Sequence, residues 1–263
     1  MNDRAERMEF RNIQSVWWRN FMLYRRTWKL NLLPNFFEPV FFLLGLGLGV
    51  GFYIQNIAGV PYPVFIAPGL IAMAAMNGAS FESTYNVYVR MNYDRIYDSM
   101  IATPLSEDEI VMGELLWCIT RALLYGGAFF LITVLFGLVP SAWGIGVLPV
   151  IALAGYLFAG IGMCFSFTIP VIDMFSFYFT LFLTPLFIFS DTFFPIQERL
   201  GSQWMWVAES TPLFHVVQLV RAFCTGHFAG RLWWDLFYLV ALSLVFHILA
   251  SYQFKKRLHK PAR

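Results

Sequence analysis

The sequence predicts an all-α polytopic membrane protein. It has six transmembrane helices, an N-terminal amphipathic interfacial helix and short re-entrant helices between spans five and six. Three observations carry this. Six apolar stretches, 32–54, 64–83, 115–139, 144–169, 175–194 and 232–254, each hold about 20 residues or more, enough helix to cross about 30 Å of hydrocarbon. Hydrophobic residues make up 59% of the chain and charged residues 13%, about half the charge of a soluble domain. The cations outside the spans gather at the two ends of the chain: Arg4, Arg7, Arg11, Arg19, Arg25, Arg26 and Lys29 before span one, Lys255, Lys256, Arg257, Lys260 and Arg263 after span six. All 263 residues read as one membrane domain, with no internal repeat or low-complexity tract.

Orientation follows from the same charges. The segment after span two holds Arg90 and Arg95, whereas the connections after spans one and three hold no basic residue. Both termini are therefore expected in the cytoplasm. Between spans five and six, Arg199, Arg221 and Arg231 are offset by Asp191, Glu198, Glu209 and Asp235, so that segment reads as external. The net charge of +2 is a topology signal and not a nucleic-acid signal. The polar N-terminus is too long and charged for a cleavable signal peptide. Cys118, Cys164 and Cys224 are scattered and odd in number, implying neither a disulfide framework nor a metal site.

Taken in order, residues 10–30 place Trp17, Phe21, Tyr24 and Trp28 on one helical face, with Arg19 and Arg26 opposite. This pattern suits a helix in the headgroup layer, aromatics down and arginines toward phosphates, or a cytoplasmic helix packed on another protein. Span one carries Glu38 and then glycines at 45, 47, 49 and 51, which permit close helix packing. In the cytoplasmic segment 88–113, residues 94–103 can form a short helix ending at Pro104. Ser106 with Glu109 then matches a capping box that starts a rod running into span three. The arrangement suits a lever and equally an ordinary helix–turn–helix connector. Residues 196–230 are too polar for a clean seventh span and too apolar to lie free in water, which fits short helices dipping into the outer leaflet.

Catalytic signatures are missing. No His-Glu-x-x-His, Gly-x-Ser-x-Gly or phosphate-cradling Gly-x-x-x-x-Gly-Lys-Ser/Thr sequence occurs, so no metal, cofactor or catalytic residue is expected in this chain. His215, His227, His247 and His259 stand isolated in the sequence. Charges within the spans are costly and call for partners. Arg121, about two turns into span three, is expected to pair with Glu38 or with Glu114, seven residues before it on the same face; the three form a candidate ion-pair or gate. Glu82, at the end of span two, is expected in the headgroup region. A candidate substrate path of aromatics runs over Phe37, Phe41, Phe177, Tyr178 and Phe182 to Asp191 at the external mouth.

These pieces, in order along nearly the whole chain, resemble the ABC-2 class of ABC-transporter permeases, and within it the nodulation-factor (lipo-oligosaccharide) export permeases. The matching pieces are Asn35-Phe-Phe-Glu-Pro39, Thr103-Pro-Leu-Ser106, Gly113-Glu-Leu-Leu-Trp117 with Arg121, and Phe177-Tyr-Phe-Thr180 with Thr184-Pro185. Phe193-Phe-Pro195 and Thr211-Pro-Leu-Phe-His215, followed by Val220-Arg221, complete the set. The resemblance implies a homodimer in the bacterial inner membrane. Each chain would dock a separate P-loop ATPase that holds the ATP and Mg²⁺, and the pair would export a lipid-linked or lipo-oligosaccharide amphiphile. It implies that Asp94, Arg95, Tyr97, Asp98, Met100, Ile101, Thr103, Pro104 and Leu105 form the coupling helix to that ATPase. Two other readings stay open on the residues alone. One is an ion-coupled carrier using Glu38, Arg121 and His247. The other is a membrane-embedded transferase.

Overall fold

The computed structural model describes residues 9–54, 56–57, 59–196, 201–228 and 230–259; for 29–36, 38–39, 48 and 202 it describes the backbone alone. Helix α1, Phe10–Leu44, continues through a π-wound turn, Gly45–Val50, to Tyr53. A two-residue hairpin, β1 Asn56–Ile57 and β2 Val60–Pro61, turns at Gly59, whose positive φ of 79° a side chain would strain. Then come α2 Tyr62–Asn92, α3 Ile96–Ile101, α4 Glu107–Leu135, α5 Val147–Thr168, α6 Ile172–Ile188, α7 Met205–Ser210, α8 Pro212–Thr225 and α9 Leu232–Leu258.

The fold is all-α, as the sequence predicts. Four stretches are long and apolar enough to cross a membrane: α2, α4, α5 with its lead-in turn (Ala142–Thr168), and α9. Val40–Tyr53 and α6 are shorter apolar helices. Three differences from expectation shape the site. Helix α2 runs nine residues past 83, because nothing before Tyr93 and Asp94 breaks it. Helix α6 stops at Ile188 rather than 194. There Ser190 donates to the Phe187 carbonyl, and the Asp191 carboxylate accepts from the Ile196 amide at 2.8 Å; such local side-chain bonds compete with the helix ladder. The interfacial helix and the first span are one continuous helix of 35 residues, about 52 Å long at 1.5 Å per residue.

The main core lies where α2, α4 and α5 cross, with α8 and α9 closing it; Ile71, Ala75, Phe129, Ile151, Phe158, Val216 and Leu239 are buried there. Small residues set the crossings. Gly126 packs on Ala75 and Ile151, and Gly155 on Ala122. A second core ties α3 to α4, α5 and α9 through Tyr97, Ile110, Leu115, Met163 and Phe254.

On the aromatic face of α1, Trp17 and Tyr24 meet the chain's own helix α4, while Trp28 is exposed. Trp17 stacks on Phe21, and Trp17 and Tyr24 pack edge-on against Trp117. The Trp17 indole N–H donates to the Thr120 hydroxyl at 2.9 Å. Close approach depends on Gly113, where an added Cβ would lie 2.5 Å from the Val16 Cβ and 3.0 Å from the Ile13 carbonyl oxygen. Gly113→Val is therefore expected to pry α1 from α4 at a cost of about 1–3 kcal/mol, read as a lowered melting temperature in detergent and faster proteolysis of α1.

Candidate functional site: a buried charge cluster beneath a short helix

Residues 82–86 of α2 are wound as a π-helix. Glu82 and Arg90, eight residues apart, would stand about 80° apart around an ideal α-helix; the looser π turn takes up the extra residue and brings both onto the face toward α4. The Arg90 guanidinium then forks, one Nη on Glu82 and the other 2.6 Å from Glu114 Oε2. Glu114 also accepts from Arg19 at 2.8 Å and from the Asn20 amide at 2.9 Å. Glu82 accepts from Asn86 at 2.8 Å, and its Oε2 lies 3.3 Å from Arg121 Nε. The Arg121 guanidinium sits between the rings of Tyr24 (4.4 Å) and Tyr125 (4.7 Å) and donates to the Tyr125 hydroxyl. Glu82 and Glu114 are almost wholly buried. Three guanidinium groups against two carboxylates leave one positive charge in excess. Buried ions of this kind persist because each is paired and hydrogen-bonded.

The cluster joins α1, α2 and α4, and α3 lies on it. Met100 of α3 accepts from Arg19 Nη1 at 3.5 Å, and Tyr97 is buried edge-on against Phe254 of α9. Burial pushes the Tyr97 phenol well above its ordinary pKa, so it stays neutral. The other coupling candidates face outward: Asp94, Arg95, Asp98, Ile101, Thr103 and Pro104 are exposed and Leu105 half-buried. Helix α4 begins as expected, with Ser106 and Glu109 forming both bonds of the capping box. The Glu109 carboxylate also accepts from the Glu9 amide and Asn12, tying the start of α1 to the start of α4.

Among the described residues Arg121 pairs with Glu82, and not with Glu114 as one of the two expectations had it. Glu114 stands seven residues, about 10.5 Å of helix, below Arg121 and serves Arg90 and Arg19 instead. Glu82 is buried within the protein. The Glu38 side chain lies outside the described residues. His247 packs against Tyr156 at 5.9 Å, with no contact to the cluster among the described residues. Arg19, Glu82 and Arg90 are the members that sequence reasoning missed. The Glu82–Arg90 spacing was the available signal, masked by the π turn.

At the opposite end the re-entrant region is more deeply built in than expected, with ten residues of α8 buried against α2, α5 and α9. Asp191 is not a free carboxylate at a mouth. With φ 63°, it accepts from Arg221 Nη1 at 2.6 Å and Gln218 at 3.0 Å, while Arg221 Nη2 donates to its carbonyl oxygen and the guanidinium lies 4.4 Å over Phe65. Nor is His215 isolated. Its Nδ1 lies 2.6 Å from Asp235 and its Nε2 2.8 Å from the Glu209 carbonyl oxygen, and Arg231 bridges Glu209 and Asp235. Two ionic clasps thus hold α8, one to the segment after α6 and one to α9. Arg221→Met is expected to open the first, exposing residues 189–196 to faster hydrogen exchange at a cost of about 1.5–3 kcal/mol, the range for hydrogen bonds to charged groups. Of the aromatic path, Phe37, Phe41 and Phe177 are exposed. Tyr178 is buried with its hydroxyl 3.4 Å from that of Ser80, and Phe182 is half-buried beside it. No group of metal-ligating side chains occurs among the described residues.

Fold and site together define a multi-pass α-helical membrane protein whose buried charges lie at the helix crossings. The chain belongs to the ABC-2 type transporter family, whose profile matches residues 11–224. It is similar to nodulation protein J of Sinorhizobium fredii, 37% identical over 207 residues, covering 79% of each chain. It is also similar to nodulation protein J of Rhizobium leguminosarum bv. viciae, 35% identical over 215 residues, covering 82% of this chain and 83% of that one. The inner membrane transport permease YadH of Escherichia coli is 23% identical over 212 residues, covering 80% and 81%.

Proposed function

We propose that the chain is the permease subunit of an ABC exporter with both termini in the cytoplasm, the two shorter apolar helices completing six spans. It works as a homodimer and takes one P-loop ATPase per chain on the outward face of α3. ATP and Mg²⁺ belong to that partner. The cargo is an amphiphile of the lipid-linked or lipo-oligosaccharide kind, moved outward. The observation that carries this reading is the seating of α3: its inward residues Tyr97 and Met100 rest on the second core and on Arg19, while its outward residues are exposed. A partner pressing α3 therefore acts on α1, α2 and α4 through one connected set of ion pairs. Similarity to nodulation protein J supports the cargo class.

The test is purification of the chain from its native membrane in mild detergent, followed by mass spectrometry. A P-loop ATPase in one-to-one ratio with a co-purifying glycolipid is the expected result. Reproducible absence of any ATPase from an intact preparation would overturn the reading and promote an ATP-independent carrier.

A further inference from the structure

A cavity of about 620 Å³ lies between the N-terminal turns of α5, the second half of α8 and the N-terminal turns of α9. Its walls are Pro149, Val150 and Leu153 on α5, Leu219 and Phe223 on α8, and Leu236 on α9. Among the described residues of its lining, the single polar side-chain group is the indole N–H of Trp233. From Gly146 to Leu153 the slot runs seven residues along the helix axis, about 10.5 Å. Its size falls within the range of ligand sites, but the few convergent polar groups that orient a sugar or a headgroup are missing from its lining. A cavity so lined excludes water as well.

Position decides what fills it. Both α9 and the stretch containing α5 are long and apolar enough to cross a membrane, and α9 is the least enclosed of the four such stretches. Trp143, Trp233 and Trp234 stand exposed around the same end of the bundle, the arrangement of an interfacial aromatic belt. Trp143, Phe228 and Phe223 form a chain of edge-on rings over the slot. The slot therefore starts at headgroup level and descends into hydrocarbon. It opens sideways past Pro149, Trp233 and Leu236, which are exposed.

We propose that this slot is a binding site for one acyl chain of a membrane phospholipid, in the outer leaflet for the orientation proposed above. The chain enters beneath the tryptophans and lies against Leu219 and Phe223, wedging α8 against α5 and α9. It fills the space with methylenes that need no hydrogen bonds, and the headgroup stays among the rings at the rim. Only the choice of leaflet rests on the proposed orientation; the site itself needs neither ATPase nor cargo.

The experiment uses the full chain in vesicles of one phospholipid carrying a diazirine on its acyl chain, with no ATPase and no cargo. After illumination, adducts are mapped by peptide mass spectrometry. Adducts on Leu219 or Phe223 are expected, although Leu219 is almost wholly covered by protein. They should be lost in Leu153→Trp, which fills the slot from α5. Leu236→Trp fills it from α9 and decides the matter if the first variant folds poorly. Adducts confined to the exposed face of α9, at Phe237, Val240 and Leu244, would overturn the proposal, as would labelling of α8 that persists in both filled variants. Absence of adducts from both α8 and α9 would mean that another protein surface, such as a second copy, covers the slot, and would overturn it too. Failure of the exporter reading would leave these outcomes unchanged.

Discussion

Glu114→Ala is expected to destabilise the protein by about 3–5 kcal/mol, the cost of stripping a buried charge of its partner. The carboxylate accepts from Arg19, Arg90 and Asn20, and it is almost wholly buried. Its removal leaves three guanidinium groups facing one carboxylate, raising the excess from one positive charge to two. Melting in detergent, followed by tryptophan fluorescence, reads the loss directly. Two companions separate electrostatics from packing. Adding Arg90→Met to Glu114→Ala restores the original excess and should recover part of the stability. Arg121→Ala removes the surplus charge itself and leaves two guanidinium groups against two carboxylates. Its cost should be smaller, about 2 kcal/mol, the upper range of the desolvated cation–π contacts it makes with Tyr24 and Tyr125. If Arg121→Ala proves as damaging as Glu114→Ala, the cluster is not organised around charge balance.

What sequence alone can show depends on how far an interaction reaches. Apolar length marks α2, α4, α5 and α9 because each must satisfy its own backbone, whatever surrounds it. The Ser106–Glu109 capping box is legible because both its bonds close within three residues. Partners twenty or more residues apart leave no such mark. His215 meets Asp235 across two helices, and Asp191 meets Arg221 across thirty residues of chain. The Glu82–Arg90 pair is hidden for a subtler reason: periodicity assumes a uniform α-helix, and one π turn rotates everything beyond it. The aromatic face of α1 is legible as a face, but periodicity does not say what covers each ring, since Trp17 and Tyr24 suit Trp117 as well as they suit headgroups.

For the exporter proposed above, Pro104→Gly with Leu105→Gly is expected to abolish export while leaving ATPase docking intact. The turn between α3 and α4 is only Ala102 to Ser106 long, and it is stiff at both ends. Ser106 is fixed by the capping box, Pro104 has a locked φ, and Leu105 packs on the second core. A displacement of α3 therefore reaches α4, and through Glu114 and Arg19 reaches α1, without being absorbed in the turn. Two glycines release that constraint. They sit outside the helices and remove one half-buried side chain, so the fold should lose little beyond the entropy of two freer residues, about 1 kcal/mol each. Proteoliposomes with the partner ATPase would then show hydrolysis that no longer responds to cargo, and no cargo movement. Asp98→Ala, on the exposed face of α3, is the contrasting case. It should weaken docking and leave transport per docked ATPase unchanged. Export at the wild-type rate through the double-glycine turn would show that α3 is a docking platform only, and that force enters the membrane helices by another route.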